Sequence, residues 1–286
     1  IRENLGLNRP LYVQYFNFLG DLVTFDFGNA LTQGKRPIRD ELAERIPATI
    51  ELSVTAMLFM SLFGVLSGAY AAKNRKKPQD YLIRLFSVAV YAVPVFVMGL
   101  LFQIIFSVRI PILPLAGRMD AVLQTTFESP TNFYILDAIL TGNWVVLKSL
   151  LLHLIMPAFT LGLVFSGVFT RLTRVNMIEM LHADFIVAGR ARGLPERRLV
   201  YVHALRNTFI PIMTWIGLQF ALLLAGAVLT ETTFSWPGLG RYLFTRISLR
   251  DYSAVQSTIG VFAMFVALIT LVMDVLYGFV DPRIRY

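Results

Sequence analysis

The sequence predicts an all-α integral membrane protein, a polytopic helical bundle with five spans in this chain. Hydrophobic residues make up 56% of the 286 residues and charged residues only 15%, whereas about a quarter of the residues in soluble domains are charged. Five apolar stretches are long enough to cross about 30 Å of hydrocarbon at 1.5 Å per residue. Basic residues also collect beside the loops on one side of these stretches, as is typical of membrane proteins.

The predicted spans are residues 47–72, 85–108, 149–170, 208–230 and 253–273. The last four contain no Lys, Arg, Asp or Glu, and the first carries Glu51 near its start, where we expect a charge that faces the interface. Buried helices of soluble proteins seldom run so long without a charge, which argues against the hydrophobic core of a soluble globular protein. Gly64 and Gly68, and Gly162 and Ser166, are spaced for close helix packing.

The distribution of Lys and Arg predicts the orientation. They concentrate between the first two spans and between the third and fourth, which places these loops and the C-terminus in the cytoplasm. Residues 1–46 and 109–148 are then outer-face segments, with 135–147 expected as a short surface helix. Five spans with an inner C-terminus place Ile1 outside, so we expect a sixth, N-terminal membrane helix upstream.

Several kinds of chemistry are excluded or disfavoured. The chain has no cysteine, which excludes disulfides and thiolate sites, and its three histidines lack metal-ligand spacing, so we expect no metal. The net charge of +8 is explained by a basic inner face, and no nucleic-acid partner is needed. "GNALTQGKR" at 28–36 lacks the spacing and the Ser or Thr of a phosphate-binding loop.

Two other functional classes, a secondary carrier or channel and a membrane-embedded enzyme, stay open. A secondary carrier or channel usually needs ionisable residues near the membrane midplane, and the spans contain none there. A membrane-embedded enzyme needs a convergent catalytic set, and none lies inside the spans. We therefore expect no catalytic residues.

The segment "ADFIVAGRARGLPERR" at 183–198 interrupts the apolar pattern. Asp184 is a candidate N-cap, residues 185–192 are predicted to form a two-turn helix, and Gly193 suits the left-handed position after it. Pro195 and Glu196 then restart a helix. Ala188, Gly189 and Gly193 keep one surface thin, which favours a peg that enters a partner's groove. An ordinary basic inner loop is the alternative.

"DFIVAGRARGL" at 184–194 and "VHALRNTFIP" at 202–211 resemble the EAA loop of ABC importer permeases, in the form found in the oligopeptide and dipeptide uptake family. "HALRN" is similar to the B-type subunit. The likeness extends along the chain through "LGLNRPLYVQY" at 5–15, "FDFG" at 25–28, "ETTFSWPGLGRY" at 231–242 and "DPRIRY" at 281–286. Val187 stands where the Glu that names the loop aligns.

The resemblance implies an ABC importer transmembrane domain over residues 47–282, with an EAA coupling loop at 176–207 and a cytoplasmic tail at 283–286. It implies a prokaryotic inner or plasma membrane and di- or oligopeptide substrates, with nickel chelates or oligosaccharides as alternatives. It assigns contact with the ATPase to Asp184, Phe185, Val187, Ala188, Gly189, Arg190, Ala191, Arg192, Gly193 and Leu194. Substrate-binding residues are not assigned.

The implied partners are a homologous C-type permease subunit, two cytoplasmic ABC ATPases, an extracytoplasmic solute-binding protein and the lipid bilayer. The binding protein is expected to contact loops around residues 109–148 and 231–252, where Trp236 suits the membrane interface. ATP and Mg²⁺ belong to the ATPases, so we expect no cofactor in this chain.

Overall fold

The computed structural model describes residue 8, residues 10–32 and residues 36–280, apart from some side chains between residues 209 and 226 and beyond residue 272. The helices are α1 Leu11–Thr24, α2 Ile38–Lys73, α3 Pro78–Ala92, α4 Val95–Gln103, a first π-helical segment Ile104–Arg109, α5 Ala121–Thr126, α6 Tyr134–Leu140, α7 Trp144–Leu181, α8 Asp184–Ala191, α9 Glu196–Arg198, a second π-helical segment Leu199–Ala204, α10 Leu205–Thr233, α11 Leu239–Ser248 and α12 Tyr252–Val280. These described residues contain no β-strand, and one isolated bridge joins Asn29 and Pro37. The predicted tail and residues 1–7 lie outside them.

The predicted all-α membrane class is confirmed. Among the described residues, α2, α7 and α12 are each long and apolar enough to cross a membrane, and α3 with α4 qualifies as a bent pair. The predicted span 208–230 lies within the 29 residues of α10. Because α2 and α7 contain 36 and 38 residues, they are about 54 and 57 Å long. Both exceed the bilayer core and extend beyond it.

The prediction of one continuous helix over residues 85–108 was wrong. The helix begins earlier, with Pro78 at its start, and it ends at Ala92, because the next residue, Val93, is extended with ψ 127°. α4 begins after Pro94 at an angle of 98° to α3. The proline ring clashes with a helical conformation at the preceding residue, so the chain turns sharply at this point.

The core lies where α2, α7 and α10 pack together. Its buried members are Ala48, Leu52, Ala56, Met60, Leu154, Ala158, Leu161, Phe169, Ile212, Ile216, Phe220, Leu223, Ala227 and Trp236. The predicted close packing is confirmed, because a Cβ added to Gly64 would lie 2.3 Å from the Cβ of Phe169, and one added to Gly162 would lie 2.6 Å from the Ala56 carbonyl oxygen. Glycine is thus required for α2 and α7 to approach this closely.

Gly64→Ala is expected to lower the free energy of unfolding by about 1–3 kcal/mol, because the added methyl group forces α2 away from α7. Gly20→Ala in α1 is the matched control: nothing lies within 4 Å of its added Cβ, and alanine is the better helix former there. Thermal unfolding of the two purified variants in the same detergent measures the difference. Equal melting temperatures would show that α2 and α7 are not in close contact.

The segment between α4 and α7 folds over the end of the bundle opposite α8. The surface helix expected at 135–147 is instead two helices, α6 and the start of α7, separated by Gly142 at φ +66°. The positive φ is readily adopted by glycine, and it ends α6.

Glu51 was expected to face the interface, but it is buried. Its carboxylate accepts hydrogen bonds from Nη2 of Arg118 at 2.7 Å and from the backbone N–H of Ile135 at 3.0 Å. The Arg118 guanidinium also lies 3.8 Å from the centre of the Tyr134 ring. A buried charge needs such a partner to be tolerated, so this pair fixes the segment between α4 and α7 to α2.

A second buried charge group, which we call the Arg246 cluster, lies at the same end. It consists of Arg246, Glu41, Asp251, Tyr242 and Thr32. Arg246 donates to the Glu41 carboxylate at 2.7 Å and to the Thr32 hydroxyl at 2.8 Å, and it lies 3.4 Å from Asp251. Tyr242 donates to Glu41 at 2.5 Å. The cluster ties α11 and the start of α12 to the first turn of α2.

Candidate coupling site

α8 is a separate short helix that packs against one end of the bundle. The expected N-cap role of Asp184 was wrong: Ala183 is the N-cap, with ψ 149°, and no side chain caps the helix. Asp184 lies in the first turn, where its charge favours the positive end of the helix dipole.

The end of α8 confirms the prediction for Gly193. Gly193 has φ +76°, its N–H donates to the Arg190 carbonyl at 2.9 Å, and the N–H of Leu194 donates to the Gly189 carbonyl at 3.1 Å. These two bonds and the left-handed residue form a Schellman motif, which stops the helix and reverses the chain. The helix then restarts at Glu196, as predicted.

The inward face of α8 is held by apolar contacts. Ile186 is fully buried and Gly189 is buried beside it. Gly189 was expected to thin the outward surface, but a Cβ there would lie 2.6 Å from Cδ2 of Leu199. Its small size serves the contact with the bundle. The surrounding buried cluster consists of Ala69, Ala72, Met177, Ile186, Leu199, Val200 and Ala204.

This cluster connects α8 to three parts of the bundle at once. Ala69 and Ala72 belong to the end of α2, Met177 to the end of α7, and Leu199 to the second π-helical segment. Buried side chains pack at nearly crystalline density, so displacement of α8 displaces the helices that it contacts. Through this cluster, α8 packs against the second π-helical segment, beside buried residues at the ends of α2 and α7.

The outward face of α8, which we define as Asp184, Phe185, Val187, Ala188 and Ala191, is exposed. Phe185 is 44% exposed and Val187 is 55% exposed. Residues three and four positions apart share one side of a helix, which brings Val187, Ala188 and Ala191 together. Small and apolar side chains on a protruding helix form a surface that fits an apolar groove at little desolvation cost.

An ion pair closes the bend after α8. Nη2 of Arg190 lies 2.8 Å from Oε1 of Glu196, and both side chains are about half exposed. The hydrogen bond from Arg190 holds the pKa of the Glu196 carboxyl below its usual value. An exposed pair of this kind contributes little stability. Arg190 thus lies beside the bend, while Arg192 is exposed after α8.

An ion pair with a buried carboxylate, which the sequence reasoning missed, joins two helices at the same end. The Asp80 carboxylate is 2% exposed and accepts from Nε and Nη2 of Arg174 at 2.6 and 2.8 Å. The backbone N–H of Lys76 also donates to it. The pair joins the first turn of α3 to α7. Asp80, the lone acidic residue in the basic stretch 73–84, was the available signal.

The turn 231–242 at the opposite end is organised by Glu231, which is fully buried. Its carboxylate accepts from the Thr49 hydroxyl at 2.6 Å and from the backbone N–H of Arg241 at 3.0 Å. A Cβ on Gly238 would lie 2.2 Å from Oε1 of Glu231, so glycine makes room for the carboxylate. The expected interfacial position of Trp236 was wrong: it is buried and donates to the Ala48 carbonyl at 2.8 Å.

Comparison with known families agrees with this geometry. The family described as binding-protein-dependent transport system inner membrane component matches residues 64–286. The chain belongs to this family. It is a non-catalytic membrane permease subunit of an ABC importer, in which the ATPase is a separate subunit.

Relatives of this permease match over nearly its whole length. It is 43% identical to the di/tripeptide transport system permease protein DppB of Pseudomonas aeruginosa, over 99% of this chain and 84% of that protein. It is 40% identical to the dipeptide transport system permease protein DppB of Alkalihalophilus pseudofirmus, over 100% of this chain and 85% of that protein. It is 35% identical to the glutathione transport system permease protein GsiC of Escherichia coli K12, over 100% of this chain and 83% of that protein.

A solved structure shares the fold of this permease. A chain of the MetNI methionine ABC transporter, in an inward-facing conformation, superimposes with a TM-score of 0.64 and covers 84% of this chain and 96% of that one. Only 11% of the residues are identical, so this likeness concerns the fold alone.

Proposed function

We propose that this permease carries di- or oligopeptides into the cell and receives the force for transport through α8. The observation that carries the proposal is that α8 has two different faces: its inward face packs against the bundle, while its outward face is exposed and, apart from Asp184, apolar. The outward face would enter a groove of a cytoplasmic ATPase. Asp184, Phe185, Val187, Ala188 and Ala191 are assigned to direct contact.

The remaining predicted coupling residues have supporting positions. Gly189 and Leu194 lie toward the bundle, Gly193 shapes the bend, and Arg190 braces it through Glu196. Arg192 is exposed beside the groove-facing side chains. When two ATPases close on ATP and Mg²⁺, α8 would move with the ends of α2 and α7, and the pathway would open toward the other side. ATP hydrolysis remains in the partner.

The α8 end is assigned to the cytoplasm of a prokaryotic cell, because the exposed basic loops lie there. We assign the C-terminus and the coupling loop 176–207 to the same side. A homologous C-type permease would complete the pathway, and a solute-binding protein would dock on the opposite end. The rigid Glu231 turn and the segment pinned by Glu51 and Arg118 support that role.

The peptide assignment rests on the relatives, which are named for dipeptides, di/tripeptides and glutathione. All three substrates are short peptides with charged ends. We infer the same substrate class for this permease, while the specific peptide is set by residues that neither sequence nor geometry identifies.

Uptake by the complete importer in proteoliposomes tests this function. With binding protein and internal ATP, we expect labelled di- or tripeptides to accumulate, and omission of ATP should reduce uptake at least tenfold. Unlabelled dipeptide should compete, whereas oligosaccharide and a nickel chelate should not. Equal uptake without ATP would support a secondary carrier, and competition by a chelate or a sugar alone would overturn the peptide assignment.

A further inference from the structure

A groove of about 230 Å³ lies between α2 and α3, with α7 as its floor. Phe63 of α2 and Phe86 of α3 form its walls, Val90 lies at one end, and Ser166 and Thr170 lie on its floor. Phe63 and Phe86 are 43% and 57% exposed, so the groove opens to the surroundings of the bundle. It lies away from α8's outward face and has no part in the coupling described above.

The groove is chemically apolar in spite of its hydroxyl groups. The hydroxyls of Ser67 and Thr170 lie 2.7 Å apart. Those of Ser87, Ser166 and Thr170 each donate to a backbone carbonyl oxygen in the preceding turn, at 2.7–3.0 Å. Since these donors are already used, a polar solute gains little from entering. A hydrocarbon chain has no polar groups, so it loses no hydrogen bonds when it enters the groove.

Positive charge lies beyond one end of the groove, in the loop that ends five residues before Leu82, the first α3 residue of its lining. Arg75, Lys76 and Lys77 in the loop between α2 and α3 are all exposed. Along α3, the distance from this loop to Val90 is about 20 Å at 1.5 Å per residue. One leaflet of the hydrocarbon core is about 15 Å thick, so the groove and its basic end match the depth of a single leaflet.

We propose that this groove binds one acyl chain of an anionic phospholipid, whose phosphate contacts Arg75, Lys76 and Lys77. The apolar walls accept the chain, and the basic loop selects the charge of the headgroup. A helix of a partner subunit would fill the groove equally, but an apolar helix offers no negative charge to the three exposed cations of the loop. An apolar groove with a basic loop beyond its end therefore favours an anionic lipid as the occupant.

Native mass spectrometry of the full importer, released from mixed phosphatidylglycerol and phosphatidylcholine micelles, tests the proposal. We expect one retained phosphatidylglycerol on the wild-type permease. The variant Arg75→Gln, Lys76→Gln, Lys77→Gln should bind it about a hundredfold more weakly, because each basic residue near an anionic lipid contributes roughly a factor of five. The control Arg39→Gln, Lys148→Gln, Arg250→Gln removes three exposed charges at the opposite end and should retain the lipid.

A second variant tests the apolar part of the site. Ser67→Phe fills the groove and should abolish retention, whereas Leu66→Phe, on the adjacent exposed side of α2, should not. Should Ser67→Phe fail to fold, the triple charge variant alone decides. Equal retention of both lipids, or unchanged retention in the charge variant, would overturn the proposal.

The absence of cysteine allows a direct test of what occupies the groove. Leu82→Cys places a unique thiol at its rim, where the side chain is 65% exposed. Cross-linking to a lipid-borne reagent supports the proposal. Cross-linking to the partner permease, or labelling by a peptide probe, would show that a protein or the substrate occupies the groove instead.

Discussion

Ala188→Glu is expected to abolish peptide uptake while leaving the permease folded in the membrane. Ala188 is exposed on the outward face of α8 and supports no core contact, so the change does not disturb the bundle. In the assembled importer, the carboxylate would be buried without a partner, which costs several kcal/mol. We expect at least a hundredfold loss in co-purification of the ATPases and a parallel loss of uptake.

Two controls separate docking from general damage. Ala188→Ser keeps the side chain small and should retain uptake. Val202→Glu adds the same charge at a residue that is 52% exposed in the second π-helical segment, outside the outward face, and should retain ATPase binding. Normal ATPase binding and uptake in Ala188→Glu would refute the docking role of α8.

Arg246→Met is expected to destabilise the permease by about 3–5 kcal/mol, because it leaves Glu41 and Asp251 buried without their cation. The side chains of Arg246, Glu41 and Asp251 are at most 4% exposed, so water cannot replace the lost partner. The expected measurement is a large fall in the thermal unfolding temperature of the purified permease pair.

The surface pair of Arg36 and Glu44 provides the comparison. These side chains are 54% and 43% exposed, so Arg36→Met should change stability by less than about 1 kcal/mol. Adding Glu41→Gln to Arg246→Met removes one orphaned charge and should restore part of the loss. If Arg246→Met and Arg36→Met unfold at the same temperature, the Arg246 cluster is not buried in the folded protein.

Features that depend on neighbouring residues were predictable. The bilayer imposes a length and an apolar character on each span, so α2, α7 and α12 were found from composition alone. The short α8 and the bend at Gly193 followed from helix-ending chemistry that acts over a few residues. The close approach of α2 and α7 was visible in Gly64 and Gly162.

Features that depend on distant residues were not predictable. Glu51 and Arg118 are 67 positions apart, and nothing near either residue shows that one neutralises the other. Asp80 and Arg174 are 94 positions apart, and the basic residues between the third and fourth predicted spans were interpreted only as an orientation signal. Trp236 has a side chain that suits an interface, but its indole finds a carbonyl group inside the bundle.

By itself, the sequence determined a helical membrane protein with a short helix between two spans, because hydrophobic length and helix termination are local properties. Only the tertiary structure decided which side of that helix is free. Ile186 and Gly189 face the bundle because Leu199, Ala69 and Met177 come together there. The outward face consists of the α8 residues on the other side of the helix. Which buried charges are neutralised, and which surfaces remain open to partners or lipid, likewise depends on contacts that form only when separate helices pack.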